Sequence, residues 1–375
     1  MRPTIIAVCG DPGGANAVAP VIEALQAEGA GSVRAFAYRQ AQSLWAKRGL
    51  TFEMLAEHTT CAMAMEWLSQ PDTALLLTGT SVNLIDIEKQ FIAAANHIGL
   101  PSLAILDFWS NYVRRFSNAN EQLVYVPDRI AVMDQRARDE MVANGFAPER
   151  LTITGQPAFD DLAICRVRFT QDQRQILREK LGIGSQEKFV VFVSQPLSLL
   201  YGTNPANPLY PGFDEHTVLG ALISALDQIA KRARHEIVLV IRPHPRESVE
   251  GFAKLRGRVI RIIVSTENES RDLVMAADLV IGMNTVLLVE ACYLGCVTLS
   301  LQPGLRLPDT LPTNSWGASR AVYNAEEIQT SIEQMLFDPN IRKATRARLS
   351  TLQLDNGATQ RVVKLIYQMA GLHLK

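Results

Sequence analysis

Cysteine is scarce in this sequence, and its spacing excludes two classes of small protein. Only 5 of the 375 residues are cysteine, and they stand in apolar stretches without a CxxC pair or a Cys/His cluster. A disulfide framework or a zinc module would need such residues at short, regular spacing. We therefore expect reduced, buried thiols in a cytoplasmic protein, with no metal site and no cofactor. The five are Cys9, Cys61, Cys165, Cys292 and Cys296.

An excess of one charge is also missing. The chain has 37 Lys and Arg against 38 Asp and Glu, and neither sign forms a long run. A dedicated nucleic-acid-binding protein would carry a basic excess or a basic stripe, so we expect no nucleic-acid partner. No apolar stretch has the length of a membrane span, and the N-terminus enters a strand directly without a signal-peptide pattern. The expected protein is cytoplasmic and has no transmembrane segment.

What the chain does contain is a repeated alternation of strands and helices. Short apolar runs are separated by helical stretches such as 40–47, 85–98, 135–144 and 215–234. This order predicts an α/β fold with parallel sheets, which bind ligands outside the carboxyl ends of the strands. A chain of 375 residues exceeds the usual size of one core, so we expect two domains, connected within 163–187. The predicted strands are 4–9, 33–37, 74–78, 102–106, 122–125, 129–132, 151–154, 188–193, 236–241, 279–281 and 297–299.

A glycine-rich loop follows the first strand. The loop reads GDPGGAN, from Gly10 to Asn16, and leads into an apolar helix. Strand, glycine loop and helix open the nucleotide-binding half of many doubly wound folds, but the spacing differs from GxGxxG and does not predict NAD. We expect backbone and side chain at Gly13, Gly14 and Asn16 to approach a polar ligand. The alternative is a tight turn that needs glycine for its positive φ.

The second unusual loop of the first half is LDFWSNYVRRF, residues 106–116. Its mixture of aromatic, amide, acidic and guanidinium groups suits stacking on a sugar-like ligand and hydrogen bonding to its rim. The alternative is a connection whose aromatic residues are anchored in the core. Asp107, directly after a strand, is the first candidate for a general base, and Asp11 in the glycine loop is the second.

In the second half, polar groups follow two predicted strands. Ser194 and Gln195 come after the strand 188–193, and the segment RPHPR comes after the strand 236–241. Arg242, His244 and Arg246 form a compact set of potential cations, and the planar fork of arginine suits a diphosphate. We expect this segment to bind a ligand, although His244 could instead cap the end of the strand.

The stretch DLVIGMNTVLLVEACYLGCVTLSL, residues 278–301, reads as strand, polar turn, helix and strand. The turn places Asn284 and Thr285 at a helix N-terminus, where free N–H groups and the helix dipole favour phosphate. Glu290 lies five residues beyond Thr285, about one and a half helical turns, and could reach hydroxyls of the same ligand. An ordinary capped helix with Glu290 in solvent is the competing interpretation.

The order of GDPGGAN, TGQPAFDDL, RPHPRE and GMNTVLLVEACYLGCVTLSLQPG resembles that of the GT-B superfamily, which holds nucleotide-sugar glycosyltransferases and UDP-N-acetylglucosamine 2-epimerases. The resemblance implies two Rossmann-like doubly wound domains facing a cleft. An acceptor-side domain would cover 1–165, a nucleotide-sugar domain 186–355, and a helix returning to the first domain 356–375.

The resemblance also implies roles for individual residues. Diphosphate contacts would fall to Asn284 and Thr285, with His244 close by, and a ribose contact would fall to Glu290. Gly13 and Gly14 would face the acceptor or the phosphates of the donor.

The chain departs from the epimerase pattern at two places. Epimerases carry His-x-Glu-Ala-Gly and His-Arg-x-Glu-Asn motifs where this chain reads LDFWSNYVRRF and SQPLSLLYG. Glycosyl transfer with inversion at the anomeric carbon needs less than epimerisation does. It needs a carboxylate near the acceptor hydroxyl and fixed positive groups at the departing diphosphate. Asp107 and Asp11 could serve as the first, and Arg242, His244, Asn284 and Thr285 as the second.

We therefore predict a metal-independent glycosyltransferase that moves a sugar from a nucleoside diphosphate sugar, a UDP-sugar in the first instance, to an acceptor hydroxyl. The product would belong to polysaccharide, glycolipid or secondary-metabolite assembly. The alternatives are a UDP-N-acetylglucosamine 2-epimerase-like enzyme, a CDP-glycerol-type glycerophosphotransferase and a non-catalytic sugar-nucleotide-binding protein. The sequence leaves open the acceptor and whether the protein forms a homodimer.

Overall fold

The computed structural model describes residues 3–29, 31–82, 85–267, 269–353 and 356–372. They form two compact units, each built around one parallel sheet. The first unit comprises the residues up to Asp161 together with the C-terminal helical segment, and the second begins at Leu162. The five cysteines all lie in the described ranges and form no disulfide. Within these ranges every helix is too short or too polar to cross a lipid bilayer.

The elements of the first unit up to Asp161 are β1 (Thr4–Cys9), α1 (Pro12–Glu28), β2 (Ser32–Ala37), α2 (Gln40–Lys47), β3 (Glu53–Met54), α3 (Cys61–Leu68), β4 (Thr73–Thr78), α4 (Ile87–Ile98), β5 (Ser102–Ile105), α5 (Tyr112–Phe116), β6 (Arg129–Val132), α6 (Gln135–Ala143) and β7 (Leu151–Ile153), with 3₁₀ turns at Pro148–Arg150 and Pro157–Phe159.

The elements of the second unit are α7 (Leu162–Arg168), α8 (Gln171–Lys180), β8 (Lys188–Val193), α9 (Leu197–Tyr201), α10 (Glu215–Ala233), β9 (Ile237–Arg242), α11 (Glu250–Ala253), β10 (Arg261–Val264), α12 (Ser270–Ala276), β11 (Leu279–Gly282), α13 (Val286–Tyr293), β12 (Thr298–Leu301), α14 (Pro312–Ser315), β13 (Arg320–Val322), α15 (Ile328–Phe337) and α16 (Pro339–Ser350), with a 3₁₀ turn at Ala325–Glu327. The final helix, α17 (Ala358–Met369), belongs to the first unit.

The first sheet has seven parallel strands in the order β3-β2-β1-β4-β5-β6-β7. Its interior strand β1, TIIAVC, is buried along its whole length, as an apolar strand covered on both faces by helices should be. The register pairs Ala7 with Ala35 on one side and with Leu77 on the other. Because the chain leaves β1 toward one edge and returns at β4 toward the other, the carboxyl ends of β1 and β4 form a topological switch point.

The second sheet repeats this plan with six parallel strands in the order β10-β9-β8-β11-β12-β13. Its first strand, β8, is central and pairs with β9 and β11, so that Phe192 lies between Ile241 and Ile281. The switch point of this unit therefore lies at the carboxyl ends of β8 and β11.

Helix α17 packs on the first unit through its apolar face. Val362 and Ile366 are fully buried in the same cluster as Ile22 of α1 and Ile5 of β1. The Tyr367 hydroxyl also donates to the Glu28 carboxylate at 2.7 Å. Burial of the apolar face of α17 explains why a helix near the end of the sequence is part of the core of the first unit.

Two regions differ from the sequence-based expectation. Residues 122–125 form no strand, because Asn118 closes a local turn with the backbone of Gln122 and the Tyr125 N–H bonds to the Phe116 carbonyl. The stretch 163–187, expected to connect the domains, contains all of α8 and all but the first residue of α7, and both helices belong to the second unit. A capping box at Thr170 and Gln173 starts α8, and this local pair stabilises the first turn of the helix.

Candidate functional site

The glycine loop lies at the switch point of the first sheet. Asp11 is the N-cap of α1 and Pro12 its first residue, so the helix begins inside the loop. A Cβ on Gly13 would lie 1.9 Å from Asp107 Oδ2, and a Cβ on Gly79 would lie 2.8 Å from the Cα of Gly14. Neither Gly13 nor Gly14 has a positive φ. These glycines are needed for close packing between strand ends, and the alternative of a positive-φ turn is wrong.

Asp107, on the 106–116 loop, lies against the glycine loop and is held by two partners. Its Oδ1 accepts hydrogen bonds from the Thr80 hydroxyl at 2.9 Å and from the Arg115 guanidinium, with which it forms an ion pair. Arg115 is buried and also donates to Thr80 Oγ1 and to the Ser110 carbonyl. Asp107 is thus a hydrogen-bond acceptor, paired with a guanidinium, at the N-terminus of α1. Since a carboxylate already occupies this position, the loop is poorly suited to a phosphate.

The aromatic residues of the 106–116 loop have structural roles. Trp109 is buried and donates its ring N–H to Asp134 at 2.9 Å, and Tyr112 is buried and donates to Glu140 at 2.6 Å. Phe116 is fully buried against Phe146. The expected stacking surface is therefore wrong for these three rings, because each finds its partners inside the first unit.

Two further carboxylates lie at the same strand ends. Asp11 is buried, and its Oδ2 accepts from the Val82 N–H at 3.3 Å. Glu88, on the first turn of α4, is almost completely buried and accepts from the Gly10 N–H at 2.9 Å and from the Tyr38 hydroxyl. Burial raises the pKa of Glu88 to about 7, the Asp11 charge adds to this shift, and the Tyr38 hydrogen bond opposes it. Sequence reasoning missed Glu88, because an acidic residue in the first turn of a helix ordinarily serves the helix dipole in solvent.

In the second unit, the predicted segments meet at the switch point of the second sheet. The Gln195 side chain after β8 accepts from the Asn284 N–H after β11 at 3.2 Å. The Ser194 hydroxyl donates to Glu247 at 2.8 Å, and Glu247 also accepts from the His244 N–H at 2.6 Å. Glu247 therefore connects the end of β8 to the RPHPR segment. We missed it although it directly follows that segment in the sequence.

The two basic residues expected to meet a diphosphate differ in their surroundings. Arg242 donates to the Ser270 hydroxyl at 3.0 Å and to the Ser265 carbonyl at 3.1 Å, and no carboxylate of the described chain forms an ion pair with it. Burial lowers the pKa of Arg242 while the Glu269 charge opposes this. The Nε of Arg246 is buried without a hydrogen-bond partner. Both guanidinium groups thus retain capacity for an anion.

His244 is neutral near pH 7. Burial, with a smaller contribution from the Arg246 charge, lowers its pKa to about 3. Its Nδ1 accepts from the Arg246 N–H at 3.1 Å, so in the neutral ring the hydrogen is on Nε2. The lowered pKa argues against His244 as a third cation, because a partly buried imidazole beside a guanidinium loses its proton. His244 offers a neutral N–H donor.

The N-terminus of α13 retains unused hydrogen-bonding groups. Thr285 is its N-cap, but the side chain caps no backbone N–H, and Asn284 Oδ1 is buried without a partner. The Asn284 amide group donates to Thr310 at 2.6 Å, which fixes its orientation. Glu290 is buried and forms an ion pair with Arg271 at 3.0 Å, so it lies neither in solvent nor without a partner. A ribose contact through Glu290 stays a prediction, and Arg271 is a neighbour that sequence reasoning missed.

The carboxyl ends of the strands differ in chemistry between the two sheets, and we call them the first edge, in the first unit, and the second edge, in the second unit. The first carries Asp11, Glu88 and Asp107 with one guanidinium, and it suits proton transfer or hydrogen bonds from hydroxyls. The second carries two arginines and a helix N-terminus, and it suits an anion. Asn16, in the second turn of α1, is exposed. In the described part of the chain, no three His, Cys, Asp or Glu side chains are grouped to hold a metal ion.

Comparison with known proteins gives matches to solved structures alone, since no family model and no curated protein matches the sequence. S. aureus MnaA, in a co-structure with UDP, has a TM-score of 0.71 and 14% identity over 100% of this chain and 98% of that chain. The UDP-GlcNAc 2-epimerase from Neisseria meningitidis, bound to UDP-GlcNAc, has a TM-score of 0.69 and 13% identity over 97% and 100%. A glycosyltransferase from Rickettsia africae has a TM-score of 0.64 and 11% identity over 98% of each chain.

At these identities the comparisons establish the fold. The chain consists of two Rossmann-like domains of the GT-B type, and this part of the sequence-based prediction is confirmed. The roles of individual residues stay predictions.

Proposed function

We propose that this protein is an enzyme that acts on a sugar nucleotide, and that the carboxyl edge of its second sheet binds the diphosphate of a UDP-sugar. The observation that carries the proposal is Arg242. It is a partly buried guanidinium at the carboxyl end of β9, the strand next to β8, with neutral hydrogen-bond partners and no ion pair among the described residues. A diphosphate would supply the missing negative charge, and the Nε2–H of His244 and the N-terminus of α13 would add donors.

The solved structures support the choice of nucleotide. One of the similar proteins was solved with UDP and another with UDP-GlcNAc. Both match nearly the full length of this chain, so the likeness covers both sheet edges. UDP-GlcNAc is accordingly the first substrate to test.

For the reaction, epimerisation at the sugar carbon C2 is the better supported choice. The structures that match nearly the whole chain include several named UDP-GlcNAc 2-epimerases, with TM-scores from 0.65 to 0.70. Epimerisation removes a proton from carbon and returns one, which requires groups that exchange protons near neutral pH. The first edge contains such a group in Glu88, together with Asp11 and Asp107. The chain would perform this chemistry without the two histidine-containing motifs described above.

Glycosyl transfer is the second candidate. The absence of those motifs favours it, as does the likeness to the Rickettsia africae glycosyltransferase. Asp107 would then serve as the base for the acceptor hydroxyl, and its ion pair with Arg115 would fix the orientation of the carboxylate.

One incubation separates these reactions. The protein is mixed with UDP-GlcNAc in D₂O, and the products are followed by proton NMR and mass spectrometry. An epimerase introduces deuterium at C2 and forms a second UDP-sugar. A transferase leaves C2 protonated and releases UDP slowly by hydrolysis when no acceptor is present.

Two other results have defined meanings. Binding of UDP-GlcNAc without either product would indicate a sugar-nucleotide-binding protein. If neither UDP-GlcNAc nor UDP binds but a CDP compound does, the result would indicate a glycerophosphotransferase-like enzyme.

A further inference from the structure

A basic cavity lies at the amino ends of the strands of the second sheet. Its volume is about 430 Å³, and its lining consists of cationic and apolar side chains. The cations are Lys188, Arg342, Lys343 and Arg346, and the apolar residues are Leu336, Phe337 and Pro339. Lys188 begins β8, and a strand of this length extends roughly 16 Å to its carboxyl end. The cavity is therefore separate from the second edge.

The positive charge of this cavity is not neutralised by the described part of the chain. No described carboxylate lines it, and none of its four cations forms an ion pair with a described residue. Carboxylates at the same end of the sheet have other partners. Asp278 is paired with Arg174 at 2.9 Å, and Glu187 is paired with Arg261 at 2.9 Å. Asp338 caps the N-terminus of α16.

Arg342 is held in place at this cavity by neutral groups. Its Nη1 donates to the Met335 carbonyl at 2.6 Å and to the Asp278 carbonyl at 3.2 Å. A guanidinium has N–H donors on three nitrogens, so the other N–H groups of Arg342 retain capacity for an anion. Burial lowers the pKa of Arg342, the Arg346 charge adds to this, and the Asp278 charge opposes it. A bound anion would reduce the repulsion between the two arginines.

The apolar residues form one wall of the cavity. The ring of His235 stacks on that of Phe337, with 4.6 Å between the centroids and 13° between the planes. The Lys188 Nζ lies 5.7 Å from the centroid of the same ring. A bare inorganic anion would gain nothing from an apolar wall, and the volume of the cavity is in the range of sites for small organic ligands. We therefore expect a ligand with both anionic groups and a carbon skeleton.

We propose that this cavity binds a small organic molecule with two phosphomonoester groups. Each such group carries about 1.5–2 negative charges near pH 7, so two of them match the four cations of the cavity. The diphosphate diester of a UDP-sugar carries less charge and matches the cavity less well. The concave shape favours a small molecule over the surface of a lipid bilayer.

Isothermal titration calorimetry with fructose 1,6-bisphosphate tests the site. The titrations are made with the wild-type protein and with Arg242→Ala, in which the anion site proposed at the second edge is weakened. We expect one molecule to bind per chain in Arg242→Ala, with an affinity that falls as salt is added, because salt screens the charges. Fructose 6-phosphate, which has a single phosphate group, should bind at least about tenfold more weakly.

A double substitution on α16 assigns the binding to the cavity. Lys343→Gln with Arg346→Gln removes two of the four positive charges, and both side chains are exposed, so the core is untouched. The dissociation constant for fructose 1,6-bisphosphate should rise at least about tenfold. Lys254→Gln with Arg258→Gln is the matched control, because it removes the same charge from exposed positions of the second unit outside the cavity. It should leave the dissociation constant unchanged.

Three results would overturn the inference. The first is that neither fructose 1,6-bisphosphate nor inorganic triphosphate binds. The second is an equal effect of the two double substitutions, which would indicate a general attraction to positive charge. The third is binding to phosphatidylglycerol vesicles without binding of either free compound, which would indicate a lipid surface. The site does not depend on the proposed function, because the same comparison of variants holds if UDP and UDP-GlcNAc fail to bind.

Discussion

Charged side chains at the two sheet edges are neutralised in different ways. In the first unit, Asp107 is paired with Arg115, and Glu88 is surrounded by neutral donors. In the second unit, Glu290 is paired with Arg271, while Arg242 has neutral acceptors only. A buried charge without a counter-ion is costly unless a ligand supplies one. The second edge is therefore where an anion should stabilise the protein most.

Asp107→Asn tests the general-base role. We expect turnover of UDP-GlcNAc to fall at least about a hundredfold, while UDP affinity, which we propose to depend on the second unit, is unchanged. Loss of the ion pair leaves buried Arg115 uncompensated and should lower the free energy of unfolding by about 1–3 kcal/mol. Steady-state kinetics below the unfolding temperature and urea denaturation measure the two effects.

Arg115→Met is the matched control for that substitution, because it breaks the same ion pair and keeps the carboxylate. A catalytic Asp107 predicts that Arg115→Met retains more turnover than Asp107→Asn at equal stability. Equal losses in the two variants would make Asp107 a structural residue.

Arg242→Ala tests the diphosphate site. A hydrogen bond to a charged group contributes about 1.5–3 kcal/mol, so the dissociation constant for UDP should rise roughly 10- to 100-fold. Calorimetry on the folded variant measures this change. Arg258→Ala, an exposed arginine of the same unit, should leave it unaltered. An Arg242→Ala variant with wild-type affinity would remove this residue from the site.

At the scale of elements, both sites depend on where a helix starts relative to a strand end. Helix α1 begins at Pro12, directly after the extended N-cap Asp11, and α13 begins directly after Thr285. The turns are short because small residues let strand and helix approach closely. At Gly282, for example, a Cβ would lie 2.7 Å from a Val193 methyl group on β8. The positions of the helix N-termini are thus set by packing at the switch points.

Gly13→Ala tests this packing in the first unit. The added Cβ would lie 1.9 Å from Asp107 Oδ2, so either α1 or the Asp107–Arg115 pair must move. We expect a loss of about 1–3 kcal/mol in the free energy of unfolding, as for other overpacked sites. Chemical denaturation followed by circular dichroism measures it.

Gly220→Ala is the control for the same chemical change. Gly220 lies within α10, and a Cβ there would meet no atom within 4 Å. Alanine is the better helix former, so this variant should be more stable than the wild type by roughly 0.5–1 kcal/mol. A stabilising effect of Gly13→Ala as well would show that Asp107 does not occupy the position described here.

At the scale of the whole molecule, the chain forms two units with separate cores, and the strand ends of the two sheets carry different charged groups. The first unit is completed by α17, whose Val363 and Tyr367 are buried with residues of α1. The second unit has its own core around β8 and α10. A ligand that binds one unit should stabilise that unit first, and unfolding need not follow a single two-state transition.

A thermal-shift panel of UDP, CDP, GDP, ADP and dTDP tests nucleotide binding by the intact protein. Ligand at a hundred times its dissociation constant stabilises the bound state by about 2.7 kcal/mol. We expect a clear rise in the unfolding temperature with UDP, a smaller one with the others, and loss of the UDP effect in Arg242→Ala. No shift with any of the five would contradict the sugar-nucleotide proposal.

Local patterns in the sequence determined the elements and the class of fold. The strands Thr4–Cys9 and Lys188–Val193 and the helix Gln40–Lys47 have the predicted bounds, because apolar periodicity and breaking residues act over a few neighbours. The order of these elements with the motifs between them was enough to predict two Rossmann-like domains of the GT-B type. Residues 122–125 show the limit of such patterns, since a local Asn118 turn prevailed over strand-forming residues.

Only the tertiary structure decided which side chains are partners. Tyr38 and Glu88 are 50 residues apart, and Arg271 and Glu290 are 19 apart, yet each pair meets at one strand edge. Whether a carboxylate is paired, buried or able to exchange a proton depends on which strand ends adjoin and how much water remains between them. The sequence contains the charged residues of both sites, but burial and long-range pairing determine their chemistry.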